Sequence, residues 1–145
     1  MDVIKLLKDD HRRILALLEE IEDAQSDLER RSRFDQVARD LRSHEMVEEK
    51  MLYPALKLDA NGRHIVIEAH EAHLITARLL REMEEMSPTD ERWAAKLNVL
   101  AEIFARHVKE EHRRIFPKIR AILDRQERDR IGTRIVEFSY AGARG

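Results

Sequence analysis

The chain has 145 residues, of which 39% are charged and 5% aromatic, with a formal net charge of −2 and no cysteine. This length suits one domain with a sizeable core, and the composition favours helices with solvated outer faces over a sheet. The lack of cysteine excludes disulfides, thiolate nucleophiles and iron–sulfur or cysteine-zinc sites.

Charge and hydropathy patterning limit the partners that the chain is expected to have. Acidic and basic residues are interspersed and no run of 18 apolar residues occurs, so neither a nucleic-acid partner nor a membrane partner is expected. The N-terminal segment MDVIKLLKDDH lacks the pattern of a signal peptide, and a cytoplasmic location is the expectation.

The first half of the chain contains two segments with the periodicity of amphipathic helices. The first segment spans about 2–26, with Asp2 as its predicted N-cap, and the second spans about 32–52. Pro54 follows the second segment and is expected to kink the helix if it continues.

The second half repeats this plan. Residues 59–62 are the clearest turn signal, with Asn61 and Gly62 suited to positive φ, and a third helical segment follows to about residue 86. Ser87 and Pro88 then form a helix-start pattern for a fourth segment. A short amphipathic segment past residue 124 predicts a fifth helix, and the tail 141–145 is expected to fray.

Long helices joined by short loops favour antiparallel neighbours. The predicted fold is therefore all-α: an antiparallel up-down-up-down four-helix bundle with a short C-terminal extra helix. The predicted organisation places the bundle in residues 1–125 and the short C-terminal helix and tail, packed on the bundle or frayed from it, in residues 126–145.

A motif that occurs twice is the strongest functional signal. SHEMVEEKMLYPAL at 43–56 and RHVKEEHRRIFPKI at 106–119 share a His-x3-Glu pair followed by an aromatic-proline pair, at an offset of 63 residues. The preceding helices overlay at an offset of 62, which places His11 on His73. The chain is thus one His helix plus one His-x3-Glu helix, duplicated, as a two-metal site inside a four-helix bundle would need.

Four histidines lie mid-stripe on four different helices, at similar depth in an antiparallel bundle: His11, His44, His73 and His107. Glu48 and Glu111 follow their histidines by four residues and are therefore rotated only about 40° from them. Burying these groups unpaired would cost roughly several kcal/mol per charged group. Metal ions would compensate this cost; a purely hydrogen-bonded cluster is the weaker alternative.

The donor types limit the metal. Imidazole and carboxylate without thiolate suit iron, manganese, zinc or copper. Two bridging carboxylates and two histidines per side would give each metal four protein donors, and a bridging oxide or hydroxide would add a fifth. Such a centre keeps roughly one open position per metal, which suits O2, peroxide or NO. The sequence contains no Glu-x-x-His, which disfavours a ferritin-like site.

Other polar residues near the motif are weaker candidates. Glu45 and His70 are two additional candidate metal ligands. Tyr53 lies nine residues after His44, about 180° round a regular helix, and is expected to pack rather than to act as a redox residue, unless a kink at Pro54 changes its direction. His64 and His112 are interpreted as surface residues.

Two comparisons between the halves concern space around the site. Arg114 stands where the first half has Met51, and either snorkels outward or places a charge near a pocket mouth. Beside His73, the repeat counterparts of Ile14 and Leu15 are the smaller residues Thr76 and Ala77, which predicts room for a ligand there.

The chain resembles the haemerythrin-like (HHE cation-binding) domain family from residue 2 to about 124. The resemblance rests on the order His, His-x3-Glu, His, His-x3-Glu and on the aromatic-proline pair that follows each His-x3-Glu motif. The resemblance implies a four-helix bundle with two iron ions, oxo- or hydroxo-bridged, for which zinc or manganese are potential substitutes. Carried over by position, six residues would be the ligands, with both glutamates bridging: His11, His44, Glu48, His73, His107 and Glu111.

The chain departs from the oxygen-carrying branch of that family. That branch has a second histidine one turn before the third-helix ligand, where this chain has Ala69, and an Asp five residues after the last histidine, where it has His112. His70 lies one position later than the missing histidine, but the internal repeat favours His73 as the core ligand. Reversible oxygen carriage is therefore not expected.

The expected function is a di-iron protein that binds, senses or detoxifies a small oxidant: O2, peroxide or NO. An open metal position could also turn over peroxide, so an enzymatic role stays open and no catalytic residue is assigned. Two alternatives remain at this point: a non-catalytic iron-handling or iron-donor module, and a structural metal-binding bundle that serves in interactions.

Overall fold

The computed structural model describes the backbone of residues 1–144 and the side chains of residues 1–138. The backbone of residues 141–144 belongs to a helix, so the fraying expected for 141–145 is not seen there, and residue 145 lies outside the described residues. Helices account for nearly all of the described backbone, two of them interrupted by π-helical segments: α1 Val3–Glu22, α2 Asp27–Val47, first π segment Glu48–Leu52, α3 Tyr53–Lys57, α4 Ala60–Glu84, α5 Glu91–Glu110, second π segment Glu111–Ile115, α6 Phe116–Ile122 and α7 Arg125–Arg144.

These helices confirm the all-α, antiparallel four-helix bundle. Its four rods are α1, α2 with α3, α4, and α5 with α6, and no strand occurs in the described part of the chain. The extra helix, α7, has 20 residues and is therefore not short as predicted; it packs against α1. None of the described helices is long and apolar enough to cross a membrane.

Helix starts differ from the sequence predictions at two places. The second rod begins five residues earlier than expected, since Ser26 caps α2 by accepting a hydrogen bond from the Glu29 amide at 3.1 Å. The cap of α5 is Asp90 rather than Ser87, because Asp90 accepts from the Arg92 amide at 2.8 Å. Asp2 caps α1 as predicted.

The predicted turn at Asn61 and Gly62 is wrong. Both residues lie inside α4, and no residue of the described backbone has positive φ. Asp59 supplies the cap instead, since its side chain accepts a hydrogen bond from the Gly62 amide at 2.8 Å. Gly62 serves close packing, because a Cβ there would lie 2.6 Å from the carbonyl oxygen of Leu56.

The apolar core of the bundle has two parts, one on each side of a polar layer. One part is built around Leu7, Leu52 and Phe116 and also takes in Ile135 of α7. The other is built around Phe34 and Trp93. The layer between them contains the histidines and glutamates of the duplicated motif.

Candidate metal centre

The two glutamates of the motif each open a π-helical segment. In each segment the backbone makes an i→i−5 hydrogen bond, from the Tyr53 amide to the Glu48 carbonyl and from the Phe116 amide to the Glu111 carbonyl. The residue after each aromatic is a proline, which has no N–H to donate to the carbonyl four residues back. The aromatic-proline pair thus favours a wider turn, and such π turns occur often at functional sites.

All six residues predicted as metal ligands meet in one buried layer. Their residual exposure runs from 0% for Glu48 and Glu111 to 8% for His107. Donor atoms of His44, Glu48, His107 and Glu111 all lie within 4.8 Å of one another. His11 and His73 flank this group, with His11 Nε2 3.3 Å from Glu111 Oε2 and His73 Nε2 3.5 Å from Glu48 Oε1.

The four imidazoles form two pairs. The ring centroids of His11 and His44 lie 4.8 Å apart, and those of His73 and His107 lie 5.0 Å apart. Within the first pair the two Nε2 atoms are 3.2 Å apart. Two nitrogens bound to one ion at about 2.1 Å each lie roughly 3 Å apart when the angle between them is near 90°. This pairing suits one ion per pair.

Each glutamate reaches both pairs. Glu48 Oε1 lies 3.2 Å from His44 Nε2 in the first pair and 3.3 Å from His107 Nε2 in the second. Glu111 contacts His11 and His44 of the first pair and also lies against His107 of the second. A carboxylate in this position could donate one oxygen to each of two ions, as a bridging ligand does.

The electrostatics of the layer favour bound cations. Burial opposes a charge on His44, but the Glu48 carboxylate and hydrogen bonds to Asp10 and Glu111 together outweigh it and raise the pKa of His44 well above its ordinary value. Burial likewise acts to lower the pKa of His107, but Glu111 and Glu48 together raise that pKa well above its ordinary value. Burial would raise the pKa of Glu48, but His44 foremost holds it well below its usual range. The carboxylates are thus ionised and attract positive charge, which protons or metal ions can supply.

The hydrogen bonds within the layer are incomplete. His73 Nε2 and both carboxylate oxygens of Glu111 are buried and complete no hydrogen bond with any described residue. Buried polar atoms are normally satisfied, and a buried carboxylate without partners is costly. A metal ion would satisfy the lone pairs that converge here, so the donor set fits a metal centre.

Two aromatic rings enclose the layer at related positions. Tyr53 stacks on His73 with centroids 5.6 Å apart, and Phe116 stacks on His11 at 5.9 Å. The Tyr53 hydroxyl donates a hydrogen bond to Glu48 Oε2 at 3.3 Å. The expectation that Tyr53 points away is therefore wrong, because the π turn distributes one turn over more residues and aligns Tyr53 with Glu48.

Three residues outside the layer contact its histidines in a way that the sequence pattern did not predict. Asp10 Oδ2 lies 3.2 Å from His44 Nδ1, and Glu49 Oε1 lies 2.8 Å from His73 Nδ1. His112, expected only as a surface residue, lies with Nε2 3.2 Å from His11 Nδ1. Such partners orient a ligand imidazole and select its tautomer. Their only sequence signal is adjacency to the motif residues.

The remaining candidates are less buried than the six residues of the layer. His70 is exposed and lies 2.8 Å from Glu49 Oε1, so the structure favours His73 over it, as the repeat predicted. Glu45 is half-buried; burial raises its pKa to about 7, although His73 and His107 act to lower it. His64 is exposed and lies 3.0 Å from Glu68.

A cavity of about 310 Å³ lies beside the layer, between α4 and α5. His107, Ala69 and Ala72 line it, and Arg114 lies at its charged side. The space for a ligand that was predicted beside His73, at Thr76 and Ala77, is therefore not where the cavity lies. Thr76 is buried at 4% exposure, and the open space adjoins His107 instead.

Comparison with known proteins places this geometry in a family. A model of the "Hemerythrin HHE cation binding domain" matches residues 2–119. A DNA nickase of Nostoc sp. (strain PCC 7120 / SAG 25.82 / UTEX 2576) is 26% identical over 141 residues, which are 97% of this chain but 39% of the relative's length.

A solved structure shares the fold. The crystal structure of a hemerythrin HHE cation binding domain-containing protein from Mycobacterium kansasii superposes with a TM-score of 0.80 at 21% identity, covering 97% of this chain and 89% of the other. With the family model matching most of the chain, the protein belongs to the hemerythrin HHE cation-binding domain family.

Proposed function

We propose that this protein holds two iron ions and uses them to bind, sense or detoxify a small oxidant. His11 and His44 would hold one ion, His73 and His107 the other, and Glu48 and Glu111 would bridge them. The observation that carries the proposal is the pairing: two histidine pairs, with each glutamate within reach of both.

The donor set supports iron and small-molecule chemistry over a closed structural site. Two imidazoles and two shared carboxylates leave each ion short of six protein ligands, whereas structural zinc sites are usually closed by four ligands of their own. Bound iron would supply electrons and an open position for the oxidant.

The protein's own groups would define the surroundings of that chemistry. Phe116 and Phe104 pack against His11 and, with the two apolar clusters, would keep water from the His11 side of the layer. Asp10 and Glu49 would hold the ligand imidazoles in place. The Tyr53 hydroxyl donates a hydrogen bond to Glu48, and burial raises its pKa so that it stays protonated.

The proposal is tested with reduced protein. Ferrous protein is mixed with O2 or with hydrogen peroxide, and the absorption spectrum is followed while the oxygen pressure is then lowered. We expect oxidation without recovery of the ferrous spectrum, since Ala69 and His112 replace the third-helix histidine and the aspartate of the oxygen carriers.

Two results would redirect the proposal. Full and repeated recovery of the ferrous spectrum would indicate an oxygen carrier or a reversible sensor. Iron that binds but neither reacts with O2 or peroxide nor resists transfer to a chelator would instead favour an iron-donor module.

A further inference from the structure

The cavity between α4 and α5 reaches the metal layer at His107. Alanine and isoleucine side chains, among them Ala69, Ala72 and Ile103, form the apolar walls of the cavity, and His107 lies at the layer. Four charged residues form its rim: Glu68, Arg106, Glu110 and Arg114. At about 310 Å³ the cavity is large enough for several molecules the size of water.

The duplication supplies an internal comparison for this cavity. Ala69 and Ala72 correspond to Leu7 and Asp10 in the first half, 62 residues earlier. Leu7 is buried at 1% exposure, and Asp10 lies 3.2 Å from His44 Nδ1. Side chains therefore fill the space beside His44, whereas the equivalent space beside His107 is open.

The opposite wall differs in the same sense. Glu110 and Arg114 correspond to Val47 and Met51, and Val47 is buried at 4% exposure. Arg114 instead lies at the rim, 3.4 Å from Glu68 and 3.2 Å from Glu110. A charged side chain that pairs with other rim residues leaves the interior of the cavity to alanine and isoleucine.

The exposure of the ligands follows this asymmetry. His73 and His107 are 6% and 8% exposed, against 2% for His11 and 1% for His44. The second histidine pair is thus the more accessible one, and the cavity adjoins it.

We infer that small molecules reach the centre through this cavity, on the side of His73 and His107, and that the side of His11 and His44 is closed. The rim carries two guanidinium groups and two carboxylates, and the walls are apolar, so the route suits a small uncharged molecule such as nitric oxide, O2 or hydrogen peroxide. This inference rests on the proposed function, because it requires a metal in the layer.

The test measures how fast nitric oxide binds to the anaerobic, iron-loaded ferrous protein, by stopped-flow absorbance. Ala69→Leu fills the cavity with the residue that the first half carries at Leu7, and we expect it to slow the binding by about tenfold. The matched control is Ala77→Leu on the same helix, which lies outside the cavity lining and has Leu15 as its counterpart. The control should bind at the wild-type rate.

A second variant acts in the opposite direction. Ile103→Ala widens the cavity from α5 and should leave the rate at or above that of wild type while Ala69→Leu lowers it. Iron content and thermal melting are measured for each variant, so that a change in rate is read only on loaded, folded protein.

The outcomes separate the inference from the proposed function. Wild-type protein that binds nitric oxide, with Ala69→Leu as fast as Ala77→Leu, would overturn the access route and leave the proposed function standing. If Ala69→Leu does not fold, slower binding in Ile103→Ala than in wild type overturns the route, and binding at or above the wild-type rate supports it. Loaded wild-type protein that binds no nitric oxide would contradict both.

Discussion

Glu48 and Glu111 are the residues on which the centre depends most. Both are fully buried, both reach the two histidine pairs, and neither could remain ionised in an apolar core without cations beside it. Each would therefore serve both metal ions at once, whereas each histidine belongs to one pair.

Loss of a glutamate should disrupt both ions. We expect Glu48→Ala and Glu111→Ala each to weaken binding of both irons by more than the roughly 10–100-fold that outer partners of ligands contribute. His11→Ala should mainly weaken one ion. The measurement is iron per chain after reconstitution and desalting, with Glu102→Ala, an exposed glutamate on α5, as the control. Equal losses of a single iron in all three variants would refute the bridging assignment.

The sequence identified the inward-facing set because duplication and helical phase act together. A lone histidine on an apolar stripe says little, but four at matched positions, two with a glutamate one turn later, restrict the arrangement strongly. Asp10, Glu49 and His112 could not be found in this way. Each follows or precedes an inward-facing residue in the sequence, so helical periodicity predicts a solvated side chain. Their contacts with the histidines depend on how closely the neighbouring rod approaches.

At the scale of elements, the two π segments decide which side chains face the layer. A periodicity of 3.6 residues predicts the direction of side chains correctly up to each glutamate but not beyond it. The predicted direction of Tyr53 was wrong for this reason. The prolines indicated that the regular helix is interrupted but not how, because a kink and a π turn can both accommodate a residue without a backbone N–H. Turn chemistry misled at Asn61 and Gly62 for a different reason, because the Asp59 cap outweighs the turn preference.

Removing the first proline should shift this register. Pro54→Ala restores an N–H that can donate to the carbonyl of Lys50, so a regular α-turn competes with the π turn that aligns Tyr53 with Glu48. We expect iron affinity to fall by at least about tenfold while helix content by circular dichroism is unchanged. Pro88→Ala, in the connection between α4 and α5, is the control and should bind iron normally. Unchanged affinity in Pro54→Ala would mean that the proline does not maintain the π turn.

At the scale of the molecule, a charged layer divides the core into two apolar parts. Helical periodicity and short connections predicted the four-rod architecture. The apolar positions of α7 predicted that it packs on the bundle, and one of them, Ile135, lies in the core. The position of the cavity did not follow, because it depends on which small residues face each other across α4 and α5. Metal binding should stabilise this divided core by about 2.7 kcal/mol for each bound ion at a free metal concentration of 100 times Kd.

Acid should release the metal before it unfolds the bundle. The pKa values of His44 and His107 are raised above 6.5, so these imidazoles take up protons, and compete with metal, from above that pH downward. Without metal, their ion pairs contribute fully below pH 6.5 and are lost as the pH rises through the raised pKa. The pKa values of Glu48 and Glu111 are lowered, so their contribution is present above pH 4.5 and is lost as the pH falls through the lowered values.

The expected result is two separate transitions. The metal-centre absorption should disappear at a higher pH than the helical circular dichroism signal, with metal-free folded protein between them. Coincident loss of both signals below pH 4.5 would contradict the pKa shifts of the histidines.

The number of metal ions per chain tests the central claim most directly. Protein reconstituted anaerobically with ferrous iron and freed of excess metal is assayed for iron and for protein concentration. The two histidine pairs predict two ions per chain, bound together, with an absorption spectrum after oxidation that a single isolated site would not give. One ion, or none, would contradict the account.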